Sequence, residues 1–252
     1  MPGEARTHTP SGDLHTIRRD HVPVHRVGYR PAPWNWTPWE YAGTDGCFHG
    51  RWDDPHGTWR SLYTGFSALA CYLEVLAPFR AEPILLDDLN AIIDEDDDSA
   101  HYPTAIAGTL PRSWCQPRLL ASGRLTGTFA VPGHPDSLPT LRRRFLTAAK
   151  EFDLADLDAA AIRDSRPRTL TQHIAAWIYT LSSGDGVPLA GIEFQSRHGD
   201  NLMLWALFER DTASTAPPQI TPRCTPHRPS GPRPRRSNAP APAELVDLSA
   251  SF

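Results

Sequence analysis

Residues 50–80 read GRWDDPHGTWRSLYTGFSALACYLEVLAPFR. The first part is built to turn, because the Asp54-Pro55 and His56-Gly57 steps break regular structure. SLYTGF at 61–66 then reads as a short strand, and Ser67 is placed to cap a helix over 68–77 that Pro78 stops. Leu69, Leu73 and Leu76 form the expected core stripe of that helix, with Glu74 roughly 100° from Leu73, at the edge of the stripe. The neighbours of Glu74 one turn away are Ala70, Cys71, Ala77 and Pro78, all small. A carboxylate placed there has room beside it for something that is not protein.

Working outward, VPVHRVGYR at 22–30 alternates as a first strand, with Val22, Val24 and Arg26 on one face. An aromatic loop, PAPWNWTPWEYAG, follows it. ILLDDL at 84–89 reads as a strand, and 140–152 and 169–183 carry helical periodicity. GIEFQSR (191–197) and NLMLWALFE (201–209) read as two strands joined by the HGD turn. Strands and helices alternate irregularly, and the chain has neither GxGxxG nor GxxxxGK[ST], which argues against a nucleotide-binding βαβ fold. The expected fold class is α+β, with a mostly antiparallel or mixed central sheet flanked by helices.

Composition divides the chain of 252 residues into three parts. From Thr212 to Phe252 there are nine prolines, no tryptophan, and no aromatic before Phe252, so 213–252 is expected to be a disordered Pro/Arg-rich tail. Residues 1–20 read as a loose N-terminal arm, which leaves 21–212 as the packed domain. A net charge of −4 argues against a polyanion-binding surface, and Arg223, Arg228, Arg233, Arg235 and Arg236 in the tail read as solvated rather than as a nucleic-acid site. No apolar run approaches the ~18 residues of a membrane span, and no leader is visible. Cys47, Cys71, Cys115 and Cys224 are scattered with no CxxC pair, against a zinc site or disulfide scaffold. A cytoplasmic protein is the expectation. The DEDDD run at 94–98 lacks the glycine and closing glutamate of a calcium loop and reads as solvated; His21, His25 and His49 have no metal-ligand spacing, so no metal is expected.

Three stretches place polar residues on packing-like elements. Ser196 shares a strand face with Ile192 and Phe194, where a hydroxyl left without a partner costs ~1–3 kcal/mol. Arg26 shares the Val22/Val24 face, and Arg51 follows a glycine in a turn-rich loop. Taken singly, each has an ordinary structural explanation: a serine bonded to backbone, a snorkelling arginine, a solvated glutamate.

Jointly, they resemble the RES domain family, named for an Arg, a Glu and a Ser. The resemblance rests on GRW (50–52), LYTGFSALACYLEVLA (62–77), GIEFQSR (191–197) and the opening VHRV (24–27), in the family's order. Asp53 stands where the family usually has Asn, Gly65 where it often has Ser, and Pro78 where the helix often ends in a His-like residue. The resemblance implies an ADP-ribosyltransferase-like fold with NAD+ as substrate rather than cofactor, and a toxin-like enzyme silenced by a small helix-turn-helix antitoxin. It implies that Glu74, Arg51 and Ser196 are catalytic and that Arg26, Tyr63 and Trp52 bind NAD+.

The residue types suit that chemistry. Cleaving the nicotinamide–ribose bond passes through an oxocarbenium-like ribose that a carboxylate stabilises. Pyrophosphate suits an arginine fork better than a lysine, an aromatic ring such as Tyr63 or Trp52 can pack against nicotinamide, and a serine can orient the carboxamide or the glutamate. Water, phosphate or a protein side chain would each serve as acceptor, giving a glycohydrolase, a phosphorylase or a protein ADP-ribosyltransferase. The reading from a different class is a non-catalytic interaction protein that binds through its tail.

Overall fold

A computed structural model describes residues 4–79, 109–164, 166–223 and 245–247. The strand expected at 84–89, the acidic run at 94–98 and most of the Pro/Arg-rich tail lie outside them. The described strands are β1 (Glu4–Thr9), β2 (Gly12–Tyr29), β3 (Ser61–Gly65), β4 (Thr109–Pro111), β5 (Arg118–Ala130), β6 (Gly191–Gln195), β7 (Met203–Phe208), β8 (Ile220–Pro222) and β9 (Leu245–Asp247). The helices are α1 (Ala68–Leu76), α2 (Arg112–Cys115), α3 (Leu138–Glu151), α4 (Ala159–Arg163) and α5 (Arg168–Tyr179).

Seven strands form one mixed sheet in the order β1-β2-β3-β7-β6-β5-β8, and β2 also pairs with β5, so five strands close on themselves. All pairings are antiparallel except β5 with β6. The sheet therefore has two buried faces, and β7 shows why its sequence is apolar throughout. Leu204, Ala206 and Phe208 enter the core under α3 and α5, while Trp205 and Leu207 enter a second core with Val24, Trp34, Trp36 and Phe129. Two buried ion pairs brace this sheet: Arg19 forks onto Glu193, which also accepts Trp205 Nε1–H at 2.8 Å, and Arg60 forks onto Glu209.

Both expected chain ends differ from what is seen. Residues 4–20 are not a loose arm: β1 and β2 form a hairpin whose polar sequence hides its ladder, because β2 pairs β1 on one edge and β5 on the other. Leu14 is fully buried, and Thr140 Oγ1 donates to Asp13 O at 2.6 Å, docking the hairpin on α3. A bulge between Arg19 and Val22, with His21 at φ 51, re-aims β2 midway. At the other end the packed unit continues past 212. Trp36 N–H donates to Thr215 O at 3.1 Å, β8 pairs with β5, and Ile220 enters the second core. Leu245–Asp247 pairs with β4.

Candidate active site

Helix α1 carries Glu74. Ser67 caps it, with Ser67 Oγ accepting from Ala70 N at 3.1 Å. Only the end of the leucine stripe is buried: Leu76 is, Leu73 is half-buried and Leu69 is exposed, while Ala70 and Cys71 join Leu76 on the buried face. The reason is close approach. A Cβ on Gly65 would meet Cys71 Sγ at 3.0 Å and Ala70 Cβ at 3.2 Å, so α1 rests on β3 through its smallest residues. Glu74 lies three and four positions after Cys71 and Ala70, which brings it to the same inward side.

Ser196 follows β6 and has no exposed surface. Its Oγ donates to Glu74 Oε1 at 2.5 Å and accepts from His198 N–H at 2.9 Å, so the hydroxyl is fixed and in turn fixes the carboxylate.

Arg51 is presented by a loop gripped at nearly every peptide. Asp53 accepts from Gly50 N–H at 2.5 Å and from the Tyr63 hydroxyl at 2.9 Å, and that hydroxyl accepts Trp52 N–H at 2.8 Å. From α5, Arg168 Nη1 donates to His49 O at 2.6 Å and Gln172 Nε2 to Gly50 O at 3.1 Å. A Cβ at Gly50 would sit 2.4 Å from Asp53 Oδ2 and 2.7 Å from the Tyr63 hydroxyl, so only glycine closes this turn. The Arg51 guanidinium lies 5.1 Å from the Trp52 ring and 5.3 Å from Phe194, and donates through Nη2 to Ile162 O. Burial lowers its pKa to about 10 while Glu74 pulls the other way, and Nε has no hydrogen-bond partner among the described residues. The one-turn helix α4, capped by Asp158, anchors both halves: Ile162 O takes Arg51, and Arg163 Nε donates to Ser196 O at 2.9 Å.

Glu74, Arg51, Arg26 and Tyr63 line one cavity of about 610 Å³, within the range of small-molecule sites. Ser196 stands just behind Glu74. Arg26 is largely committed to the fold, donating from Nε to Pro33 O at 2.8 Å and from Nη1 to Tyr63 O at 2.9 Å; burial lowers its pKa to about 10. Tyr63 offers a ring rather than an acid, since burial and Asp53 hold its hydroxyl well above the usual tyrosine pKa. Trp52 is the exception among the expected site residues. It is fully buried edge-on to Phe194 and fills the core beneath Arg51, so the aromatic residue beside Arg51 on the cavity wall is Phe194. Sequence reading missed Phe194, Arg197 and His198 although the first two stand in GIEFQSR, and it had no signal for Trp114, Arg118 or Arg168.

A neighbouring cavity of about 540 Å³ shares Arg51 and Phe194 and carries His15 and His134. With Asp136 these histidines are close enough to share an ion, but their rings stack at 3.6 Å and 11°. One ion cannot lie in both parallel ring planes, and Asp136 already bonds Arg6, so we assign no metal there.

No family model, curated protein or solved structure matches this chain. Among the described residues, no helix is long and apolar enough to cross a membrane.

Proposed function

We propose that this chain cleaves the nicotinamide–ribose bond of NAD+. The observation that carries the reading is Glu74 held by Ser196 Oγ at 2.5 Å on the wall of a cavity that is otherwise strongly cationic. The RES-like motifs supply the same three residue types from the sequence side, and an ADP-ribosyltransferase-like arrangement is part of the proposal.

In the reaction, the bond between ribose C1′ and the nicotinamide nitrogen breaks. Its electron pair goes to that nitrogen, so nicotinamide leaves neutral and positive charge develops on the ribose. Glu74 faces that charge, and Ser196 keeps the carboxylate aimed without reorganisation at the moment of cleavage. Arg51 meets the pyrophosphate, and Phe194 and Tyr63 offer flat walls to the pyridine ring. The acceptor then adds at C1′ and loses a proton: water gives a glycohydrolase, phosphate a phosphorylase, and a side chain an ADP-ribosyltransferase. A small antitoxin that silences the enzyme would act by covering this cavity.

The test is release of free nicotinamide from NAD+ by purified protein. Glu74→Gln should keep the fold and NAD+ binding yet slow release by ~10²-fold. Equal rates for parent and variant, or no release by the parent, refute the reading.

A further inference from the structure

Among the described residues, the cavity carries more positive charge than NAD+ requires. Arg26, Arg51, Arg118, Arg168 and Arg197 line it, with one carboxylate among the described residues, Glu74. NAD+ brings two pyrophosphate charges, partly offset by its pyridinium. Elsewhere, Arg6, Arg19, Arg60, Arg142 and Arg163 each meet a carboxylate. Around the cavity, by contrast, the hydrogen bonds of Arg26, Arg51, Arg118 and Arg168 among the described residues go to backbone carbonyls and one tyrosine hydroxyl. Such partners position a guanidinium without neutralising it, and of these four Arg51 has the carboxylates of Glu74 and Asp164 near enough to favour its charge. Arg197 stands close enough to Arg51 to disfavour its charge.

The cations are also spread along the cavity. Arg51, Arg168 and Arg197 come from the 48–53 loop, the start of α5 and the β6–β7 turn, the end nearest Glu74 and Ser196. Arg118 reaches the cavity from the start of β5. In the β2/β5 ladder Arg26 lies opposite Ala121 and Tyr29 opposite Arg118, which puts position 118 roughly 10 Å along the strands from Arg26. There it is held rigidly, donating to Trp114 O at 2.7 Å and the Tyr29 hydroxyl at 2.6 Å, with its guanidinium 4.1 Å from the Trp114 ring. Those two bonds leave three of its five N–H donors for other partners.

Resting on the reading of the cavity as a dinucleotide site, we infer that the preferred substrate carries a third phosphate on its adenosine ribose, and that Arg118 receives it: the 2′-phosphorylated dinucleotide NADP+ over NAD+. The nicotinamide ribose lies at Glu74, the pyrophosphate by Arg51, and the adenosine end toward Trp114 and Arg118. A phosphate monoester adds about −1.5 to −2 charge and three acceptor oxygens, the complement of a guanidinium with donors to spare.

The experiment is calorimetric titration of full-length Glu74→Gln protein with NAD+ and with NADP+, beside nicotinamide release from each by the parent. NADP+ should bind about tenfold more tightly, the equivalent of one added charge-assisted contact, with the ratio shrinking as salt rises. Adding Arg118→Gln should bring the ratio to within about twofold, whereas Arg118→Lys, which keeps the charge, should retain part of it. Melting curves of both variants separate this from loss of the fold. If NAD+ is bound and cleaved with no preference for NADP+, or if Arg118→Gln folds and leaves the ratio unchanged, this inference falls while the cleavage reading stands. If neither dinucleotide is bound or cleaved, both fall.

Discussion

Ser196→Ala tests whether the bond to Glu74 serves catalysis or only the fold. The substitution removes one hydroxyl from a site with no exposed surface, deleting the donor to Glu74 at 2.5 Å and an acceptor of His198 N–H at 2.9 Å. What holds residue 196 in place survives, because Ser196 N donates to Leu202 O and Ser196 O accepts Arg163 Nε, both backbone atoms at 2.9 Å. The strand end should therefore stay, with melting lowered by a few degrees at most. A hydrogen bond to a charged group is worth ~1.5–3 kcal/mol, and if it acts fully in the transition state its loss slows nicotinamide release by roughly 10- to 150-fold. The stronger check is a cycle with Glu74→Gln. An uncharged amide stabilises the oxocarbenium-like ribose poorly however well it is aimed, so Ser196→Ala should cost little in that background. Rates come from steady-state nicotinamide release, with melting measured on the same preparations. If Ser196→Ala slows parent and Glu74→Gln by the same factor, the two residues act independently, and the hydroxyl is not positioning the carboxylate.

Two further outcomes follow from the chain ends. A chain ending at 212 should melt several degrees below one ending at 223, because it loses β8 and the burial of Ile220, alone worth about 1.5–3 kcal/mol; equal melting temperatures would mean β8 contributes nothing. His15, whose pKa burial and His134 push below the ordinary 6.5, makes the unfolded chain take up a proton first, so stability is lost as pH falls below about 6.5 toward the lowered folded value and is untouched above it. His15→Asn should flatten the fall in melting temperature between pH 7.5 and 5, and an unchanged slope would assign the acid sensitivity to other groups.

The elements that were legible are those whose signals are local. Ser67 marks its helix by capping it, and β6 and β7 announce themselves by alternation and by a run apolar on both faces. What stayed hidden depends on a surface the sequence does not name. β2 begins among residues as polar as His15, Thr16 and Arg18, and is a strand there because β1 and β5 complete its ladder. Leu69 looked like core and is exposed, since Gly65 lets Ala70 and Cys71 approach more closely than any leucine could. Trp52 looked like a ligand platform for the converse reason: the turn that presents Arg51 sends its neighbour inward. Arg118 and Arg168 stand outside every motif, and only the closing of β2 on β5 and the packing of α5 on the 48–50 carbonyls bring them to the cavity.

That packing also explains how two opposite charges share a cavity without collapsing onto each other. Among the described residues Arg51 and Glu74 form no ion pair, although each lines the cavity and Glu74 favours the Arg51 charge. A direct pair would neutralise both and leave little for a ligand to meet. Instead Ile162 O holds the guanidinium by Nη2, Asp53, Arg168 and Gln172 fix the loop beneath it, and Ser196 holds the carboxylate from behind. Keeping the charges apart costs electrostatic energy that surrounding hydrogen bonds, each worth about 1 kcal/mol net, offset. In the proposed reaction, charge held apart before the ligand arrives would need no reorganisation as positive charge develops on the ribose, the condition under which a fixed carboxylate accelerates bond cleavage most.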